Sequence, residues 1–318
     1  MPAIEIEQAG GKRFDRRVEI VAMRRISNHA DKMASGWGAR QPVRRYTLKM
    51  TRWLLILLAF AVGERAAAEP LPDTLLSGGI VRVTDALDGM TLRLEDGRML
   101  RLAAVETPAA ELPRAATDRG GDRPAQRRAG EGAGAAGRAV AELAAGREAA
   151  LYYDERRNDR YGRIVAHVVV LPDLWLQQEL LRRGLARVHT TADTAAAAAA
   201  LLRAEAQARA ARRGLWAQTA FQIRRPDELG RWMDSFQIVE GRITGVRRTA
   251  SQTWLEFAVA RGRPAEITIA SGARRQFRDS GLDPAGLAEK TLRVRGWVRW
   301  QNGPIIEVDH PAQIELLD

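Results

Sequence analysis

Residues 151–188, LYYDERRNDRYGRIVAHVVVLPDLWLQQELLRRGLARV, carry the pattern that decides the fold. Two short runs rich in β-branched and aromatic residues, 151–154 and 164–171, lie on either side of a charged segment. Asn158-Asp159 and Gly162 are residue types that favour a bend, and strands separated by such a bend form a hairpin. The stretch therefore predicts two antiparallel strands joined by a polar turn.

The pattern changes after Pro172, where the spacing of apolar residues goes from two to about 3.6. This spacing predicts one buried stripe on a short helix, formed by Leu174, Leu176, Leu180 and Leu181. Gly184 follows the last of these residues, and glycine is the residue that most often ends a helix in a left-handed conformation. A strand, a charged turn, a second strand and a short helix are thus expected in this order.

The same stretch resembles the staphylococcal nuclease (thermonuclease) family. The family turn D-x-Y-G-R is met as Asp159-Arg160-Tyr161-Gly162-Arg163. The family run N-x-x-L-x-x-x-G-x-A-x-V is met as Gln177, Leu180, Gly184, Ala186 and Val188. With the segments described below, the resemblance covers residues 78–216. It implies an OB-type β-barrel with helices, a mainly β fold of the α+β class.

Three short apolar or alternating runs before this stretch, 80–84, 91–94 and 99–105, predict a meander. The dipeptides Asp88-Gly89 and Asp96-Gly97 between them suit tight hairpin turns. The meander resembles the first sheet of the family, which carries the motifs V-x-D-G-D-T and R-L-x-x-x-D-T-P-E. These motifs identify the positions of this sequence that correspond to the family's site residues.

In the family, two aspartates and a threonine carbonyl hold calcium, a glutamate positions the attacking water, and two arginines hold the phosphate. The resemblance assigns the arginines to Arg101 and Arg163 and the second aspartate to Glu106, which Thr107 follows. Tyr161 is assigned as a further donor to the same phosphate. The first aspartate is replaced by Met90 and the glutamate by Ala109, neither of which can bind calcium or accept a proton.

Two interpretations of this altered site remain open. Losing a general base typically removes a factor of about 10² to 10⁴ in rate, so calcium-dependent hydrolysis is expected to be weak or lost. Alternatively, the site is rearranged around neighbouring carboxylates such as Asp88 or Glu111 and stays active. The family's aromatic base-stacking stretch is also replaced, by His189-Thr190-Thr191-Ala192.

The chain of 318 residues has no cysteine, which excludes disulfides and thiolate metal sites. Residues 1–49 are basic and without periodicity, so we interpret them as a non-native or disordered extension. Residues 50–68 combine a positive flank, about ten apolar residues and an A-x-A end, the three parts of a secretory signal. We expect export to the periplasm or the medium and no stable membrane span after cleavage.

Net charge gives only weak support for nucleic-acid binding once these residues are removed. The chain carries 50 Lys and Arg against 39 Asp and Glu, a net of +11. Residues 1–68 hold 13 against 6, so the remainder holds 37 against 33, a net of +4. Any affinity for nucleic acid must therefore come from local clusters of basic residues.

Residues 69–216 are assigned to the nuclease-like domain, in which 110–136, rich in Arg, Gly, Ala and Pro, predict a mobile basic loop. Residues 217–234 are interpreted as a linker. Residues 235–318 show three strands, a helix and two strands, the order of a second, smaller OB-like barrel.

Alternation in the predicted strand 291–300 places three arginines and a tryptophan on one face. This set resembles the charged and stacking surfaces of proteins that bind single strands, and its members are Arg293, Arg295, Trp297 and Arg299. The alternative is a barrel exterior on which arginine stems cover apolar surface.

Together these features predict an exported protein that binds nucleic-acid phosphates, in DNA or RNA and with a preference for single strands. An active metal-dependent nuclease with a rearranged calcium site is the second alternative. A non-enzymatic envelope scaffold that binds a protein partner is the third.

Overall fold

A computed structural model describes residues 69–108, 123–259 and 263–317, with the backbone alone for 123–133. They form two closed five-stranded β-barrels and a few helices, which confirms the predicted mainly β, OB-type fold. The predicted extension and signal segment lie outside the described residues, as do Ala109 and residues 110–122 of the predicted loop. No helix in the described ranges is long and apolar enough to cross a membrane.

The first barrel follows the predicted order of meander, hairpin and helix. Its strands are β1 Leu76–Ala86, β2 Thr91–Leu94, β3 Met99–Leu102, β4 Val105–Glu106, β5 Glu148–Tyr153, β6 Ile164–Val170, β7 Leu174–Trp175 and β8 Arg187–Val188. Its helices are α1 Arg123–Ala144, α2 Leu176–Arg182 and α3 Ala198–Ala210. Five strands close the barrel in the order β3-β2-β1-β5-β6, and the parallel pairing of β3 with β6 completes it.

The hairpin and helix of the deciding stretch are confirmed, and Gln177 proves to be a structural residue. Its fully buried side chain accepts the amide of Val168 at 3.1 Å and donates to the carbonyl of Ala166 at 2.9 Å. Both groups belong to β6, whose side chains are buried along its whole length. Gln177 therefore holds α2 against β6, the second strand of the hairpin.

Helix α1 corrects the predicted loop, because residues 123–136 are helical instead of irregular. The chain there is rich in glycine, which disfavours a helix by about 1 kcal/mol per residue. Burial overrides this preference, since Ala136, Ala139, Val140 and Leu143 are all buried in the first barrel. A Cβ added to Gly89 would come within 2.7 Å of Ala136, so small residues on both sides allow the close approach.

Two glycines meet back to back where α2 and α3 end. Gly184 has φ +68° and Gly214 has φ +53°, both in the left-handed region. A Cβ on Gly184 would lie 2.2 Å from the carbonyl oxygen of Arg213, and one on Gly214 would lie 2.3 Å from that of Gly184. The amide of Leu215 donates to the same Gly184 carbonyl at 2.8 Å. Only glycine fits at either position.

The second barrel has the predicted three strands, helix and two strands, with one more strand at the end. Its elements are β9 Phe236–Arg248, β10 Gln252–Phe257, β11 Glu266–Ala270, α4 Arg274–Asp279, β12 Thr291–Trp300, β13 Pro304–Val308 and β14 Ile314–Leu316. The strands close in the order β13-β11-β10-β9-β12, with β13 also paired to β12. A separate apolar core that includes Phe257, Phe277 and Leu292 fills this barrel.

The predicted linker, residues 217–234, contains 3₁₀ helices at Thr219–Phe221 and Pro226–Arg231. Phe221 and Leu229 are buried. The amide of Arg224 donates to the carbonyl of Ile238 at 2.8 Å. The segment is thus attached to the second barrel through Leu229 and the backbone of Arg224.

A buried group of charges joins the two barrels. Arg295 of β12 is 1% exposed and donates to both carboxylate oxygens of Glu205 in α3 at 3.1 Å, while Glu205 is fully buried. Arg295 also donates to the carbonyl of Val188 at 3.1 Å and to Glu315 at 2.7 Å. Glu205 in turn accepts from the amide of Val188 at 2.7 Å and from Arg209 at 3.0 Å.

The segment 187–190 of the first barrel makes further contacts with the second. The Nη1 of Arg187 donates to the carbonyl of Phe236 at 3.1 Å. The His189 ring packs edge-on against the Phe236 ring, with centroids 4.8 Å apart. Thr190 Oγ1 and His310 Nε2 share a buried hydrogen bond of 2.7 Å. The second barrel therefore holds this segment by main-chain, aromatic and side-chain contacts.

Candidate phosphate-binding groove

A groove of about 400 Å³ opens on the first barrel between the hairpin turn and the chain that follows β8. Its floor is the end of β3 and the residues after it, from Leu102 to Val105, together with Val165. Its polar lining consists of Arg101, Arg156, Asp159, Arg160, Tyr161, Arg163, His189, Thr191 and Thr194. Four arginines and one carboxylate line the groove, and Arg156 is paired with Asp193 beside it, so the groove keeps a net positive charge.

The barrel closure brings Arg101 and Arg163 together. Strands β3 and β6 run parallel, with Leu100 opposite Ile164 and Arg101 opposite Val165. Because Arg163 directly precedes Ile164, and neighbouring strands lie about 4.8 Å apart, the two arginines leave adjacent strands at one end of the pair. The structure thus places both predicted phosphate residues in the same groove.

Asp159 orients Arg163 from within the hairpin turn. Its Oδ2 accepts from the Nε of Arg163 at 2.7 Å, and its Oδ1 accepts the amides of Tyr161 and Arg163 at 2.9 and 3.0 Å. Burial raises the pKa of Asp159, but the Arg163 guanidinium and the two amides outweigh it and hold the pKa below its usual value. The carboxylate stays charged and leaves the two Nη groups of Arg163 for a ligand.

The side chain of Arg101 has no hydrogen bond or ion pair with any other described residue, although its charge acts on His189. Tyr161 lies at the rim with 67% of its surface exposed. The guanidiniums of Arg160 and Arg163 stand 4.8 and 5.4 Å from the centre of its ring, within the range of cation–π contact. The predicted phosphate residues are therefore accessible.

Within the described residues, the family's metal positions do not bring together the oxygen ligands that calcium needs. The carboxylate of Glu106 faces Arg187, with Oε2 3.7 Å from Nη2, and Oε2 is buried without a hydrogen bond. The sulfur of Met90 accepts the amide of Thr107 at 3.3 Å. Among the described residues no group of three or more His, Asp or Glu could hold a metal ion. Ala109 lies outside these residues.

Asp88, the predicted substitute ligand, is used within its own turn. Its Oδ1 accepts the amides of Met90 at 2.6 Å and Thr91 at 2.7 Å, which shapes the tight turn before β2. Of the two carboxylates, Glu106 therefore faces the guanidinium of Arg187, and Asp88 is bonded to the backbone of its own turn. Because calcium prefers six to eight oxygen ligands, the donors at the described positions do not fit it.

His189 is a groove residue that the sequence analysis treated only as part of a replaced aromatic stretch. Its amide donates to the carbonyl of Ala104 at 3.0 Å, which fixes the backbone beside the groove floor. Burial lowers the pKa of His189; Glu106 opposes this shift, while the charges of Arg101 and Arg187 add to it. The imidazole is therefore neutral at neutral pH. Its place in the groove could not be predicted from the sequence, because the four histidines of the chain are far apart and form no recognisable motif.

The predicted single-strand surface on β12 is corrected by the structure. Alternation is right, but α3 of the first barrel covers the first half of that face, so Arg295 is buried in the ion network described above. Arg293 is held between Glu240 at 2.9 Å and Glu315 at 3.2 Å. Trp297 and Arg299 are accessible, and Arg299 pairs with Asp234 at 2.8 Å. No continuous surface of three free arginines exists on this strand.

Comparison with known proteins agrees with this architecture. A search of curated proteins found no match for the chain. Residues 99–218 match the family model described as staphylococcal nuclease homologue, and this span contains β3 to α3 and every residue of the groove lining. The match confirms the resemblance inferred from the sequence: the first barrel carries a staphylococcal nuclease homologue domain.

Proposed function

We propose that the protein binds phosphate groups of single-stranded nucleic acid in the cationic groove of its first barrel, without calcium. The observation that carries the proposal is the pair Arg101 and Arg163, which register places at one end of two parallel strands. Forked guanidiniums aimed at one place suit a phosphate, because each can form two charge-assisted hydrogen bonds.

The exposed ring of Tyr161 at the groove rim supports a single-stranded ligand. A base that is free of its partner can stack on such a ring, and stacking is worth about 1–3 kcal/mol per base. Base pairs in a duplex keep their faces covered. Arg160 extends the positive charge beyond the central pair, whereas the charge of Arg156 is paired with Asp193.

Calcium-dependent hydrolysis by the family's route is weak or absent in this proposal. Its support is the thioether of Met90, the pairing of Glu106 with Arg187, and Ala109 at the position of the water-positioning glutamate. Export is part of the same proposal and rests on the signal-like pattern of residues 50–68.

Binding of labelled oligonucleotides to the full chain in the presence of a chelator tests the proposal. Arg101→Gln and Arg163→Gln should each weaken binding about ten- to hundredfold, because a hydrogen bond to a charged group is worth about 1.5–3 kcal/mol. Each should also lower the slope of log affinity against log salt by about 0.7.

Arg275→Gln is the matched control, since it removes the same charge from a side chain of α4 that is 86% exposed. Equal effects of all three substitutions would mean that binding follows net charge alone and that the groove is not the site. Binding that requires calcium would favour a rearranged metal site. Binding of neither DNA nor RNA would leave a protein-binding scaffold as the better interpretation.

A further inference from the structure

One group in the groove can accept a proton at neutral pH. Besides Asp159 and His189, the ionisable side chains that line the groove in the described part of the chain are four arginines, which have no acceptor atom, and Tyr161 at the exposed rim. Asp159 is committed to three hydrogen bonds with Arg163 and two backbone amides, so its oxygens are not free to take a proton from a ligand. His189 is the remaining candidate, and no described residue is hydrogen-bonded to its ring nitrogens.

His189 is also held in place from both sides. Its amide is bonded to Ala104 below the groove, and its ring leans on Phe236 of the second barrel at an interplanar angle of 69°. The next residue, Thr190, is anchored to His310 of the same barrel. A preorganised base needs this kind of support from surrounding residues. The charged and titratable groups that act on the imidazole are Glu106, Arg101, Arg187 and His310.

We propose that His189 is the general base of a metal-independent cleavage of RNA, at the phosphate that Arg101 and Arg163 hold. The proposal rests on the phosphate-binding function proposed above. His189 takes the proton of the ribose 2′-hydroxyl, and the 2′-oxygen forms a bond to phosphorus. The bond between phosphorus and the 5′-oxygen breaks, and the 5′-oxygen takes a proton from water. His189 returns its proton to the resulting hydroxide, which leaves a 2′,3′-cyclic phosphate and a free 5′-hydroxyl.

RNA is the substrate class that this set of residues fits. A general base in the groove could act on water or on the 2′-hydroxyl, but the 2′-hydroxyl is already attached beside the phosphorus atom. Such intramolecular placement is worth a large effective concentration, so one positioned base is enough. The two guanidiniums stabilise the extra negative charge that develops on the phosphate oxygens. DNA lacks the nucleophile and is bound without being cleaved.

The test uses the full chain and three single strands of one sequence: all-DNA, DNA with one ribonucleotide, and the same strand with a 2′-O-methyl group there. Each reaction is run with a chelator and, for comparison, without one, and products are identified by mass. Cleavage is expected in the ribonucleotide strand alone, at that position, with a 2′,3′-cyclic phosphate end. His189→Ala and His189→Gln should cut the rate at least about a hundredfold while binding stays within about twofold.

Free imidazole should restore part of the rate of His189→Ala, an effect that a purely structural role would not give. The variants, prepared in the same way, also control for a contaminating ribonuclease. Binding without cleavage would overturn this proposal and leave phosphate binding intact, whereas loss of both would overturn the two together. Cleavage that a chelator abolishes, cleavage of all-DNA, or unchanged cleavage by both His189 variants would each refute His189 as the base.

Discussion

Replacing Arg295 by Met should destabilise the protein far more than removal of a surface ion pair does. The substitution removes the two hydrogen bonds that Arg295 donates to the Glu205 carboxylate. It also removes one hydrogen bond to the carbonyl of Val188 and one to Glu315. Glu205 is fully buried and keeps Arg209 and one amide, which no longer compensate its desolvation. Removing one partner of a buried pair typically costs about 3–5 kcal/mol of unfolding free energy.

Urea unfolding, with midpoint and slope fitted separately, measures this loss. At about 2–4 °C per kcal/mol for a chain of this size, the melting temperature should fall by roughly 6–20 °C. Arg299→Met is the control on the same strand: its pair with Asp234 has both side chains more than half exposed, so about 0–1 kcal/mol is expected.

A double variant distinguishes the interaction free energy between Glu205 and Arg295 from the separate contribution of each residue. Glu205→Met with Arg295→Met removes both charges, so its loss should be smaller than the sum of the single losses by about 1–3 kcal/mol. The reasoning is refuted if Arg295→Met loses no more than Arg299→Met, or if the two single losses simply add.

Three further outcomes are expected. Asp159→Asn keeps an oxygen for the two amides but loses the charged contact with Arg163, so oligonucleotide affinity should fall several-fold; a gain would mean that net charge outweighs orientation. Burial lowers the pKa of His167 from 6.5 to about 4, so the folded state loses stability as the pH falls from 6.5 towards 4, by up to about 3 kcal/mol, and His167→Leu should flatten urea midpoints over that range. Millimolar calcium should leave the melting temperature of the chain unchanged, whereas Met90→Asp with Ala109→Glu should make it rise with calcium; a rise in the unaltered chain would reveal a metal site.

Local patterns were sufficient for most of the fold. Alternating runs and the dipeptides Asp88-Gly89 and Asp96-Gly97 placed the strands of the first barrel, and Gly184 ended α2 as predicted. The second half of helix α1 was expected, but its first half was missed because that part is rich in glycine and has low helix propensity. Its burial against the turn at Gly89 is a tertiary effect that residue preferences do not contain.

The candidate site was predicted less completely, for two physical reasons. Arg101 and Arg163 could be assigned by resemblance, and the parallel register of β3 and β6 then explained why they converge. His189 enters the groove only because the chain after β8 folds beside β4. Alternation assigned Arg295 to the correct face of β12, but which face meets solvent depends on α3, which is 90 residues away.

The glycine pair at the ends of α2 and α3 has a consequence for how the protein is assembled. Because Leu215 bonds back to Gly184, residues 184–214 form a closed loop whose ends touch. Closing a loop of about 30 residues costs roughly 3 kcal/mol of conformational entropy, and this cost arises when the first barrel folds. Arg187, Val188, Thr190 and Glu205, through which the second barrel is held, all lie within this loop. The loop is therefore closed by contacts within the first barrel. A substitution at either glycine is expected to separate the barrels without changing a residue of their interface.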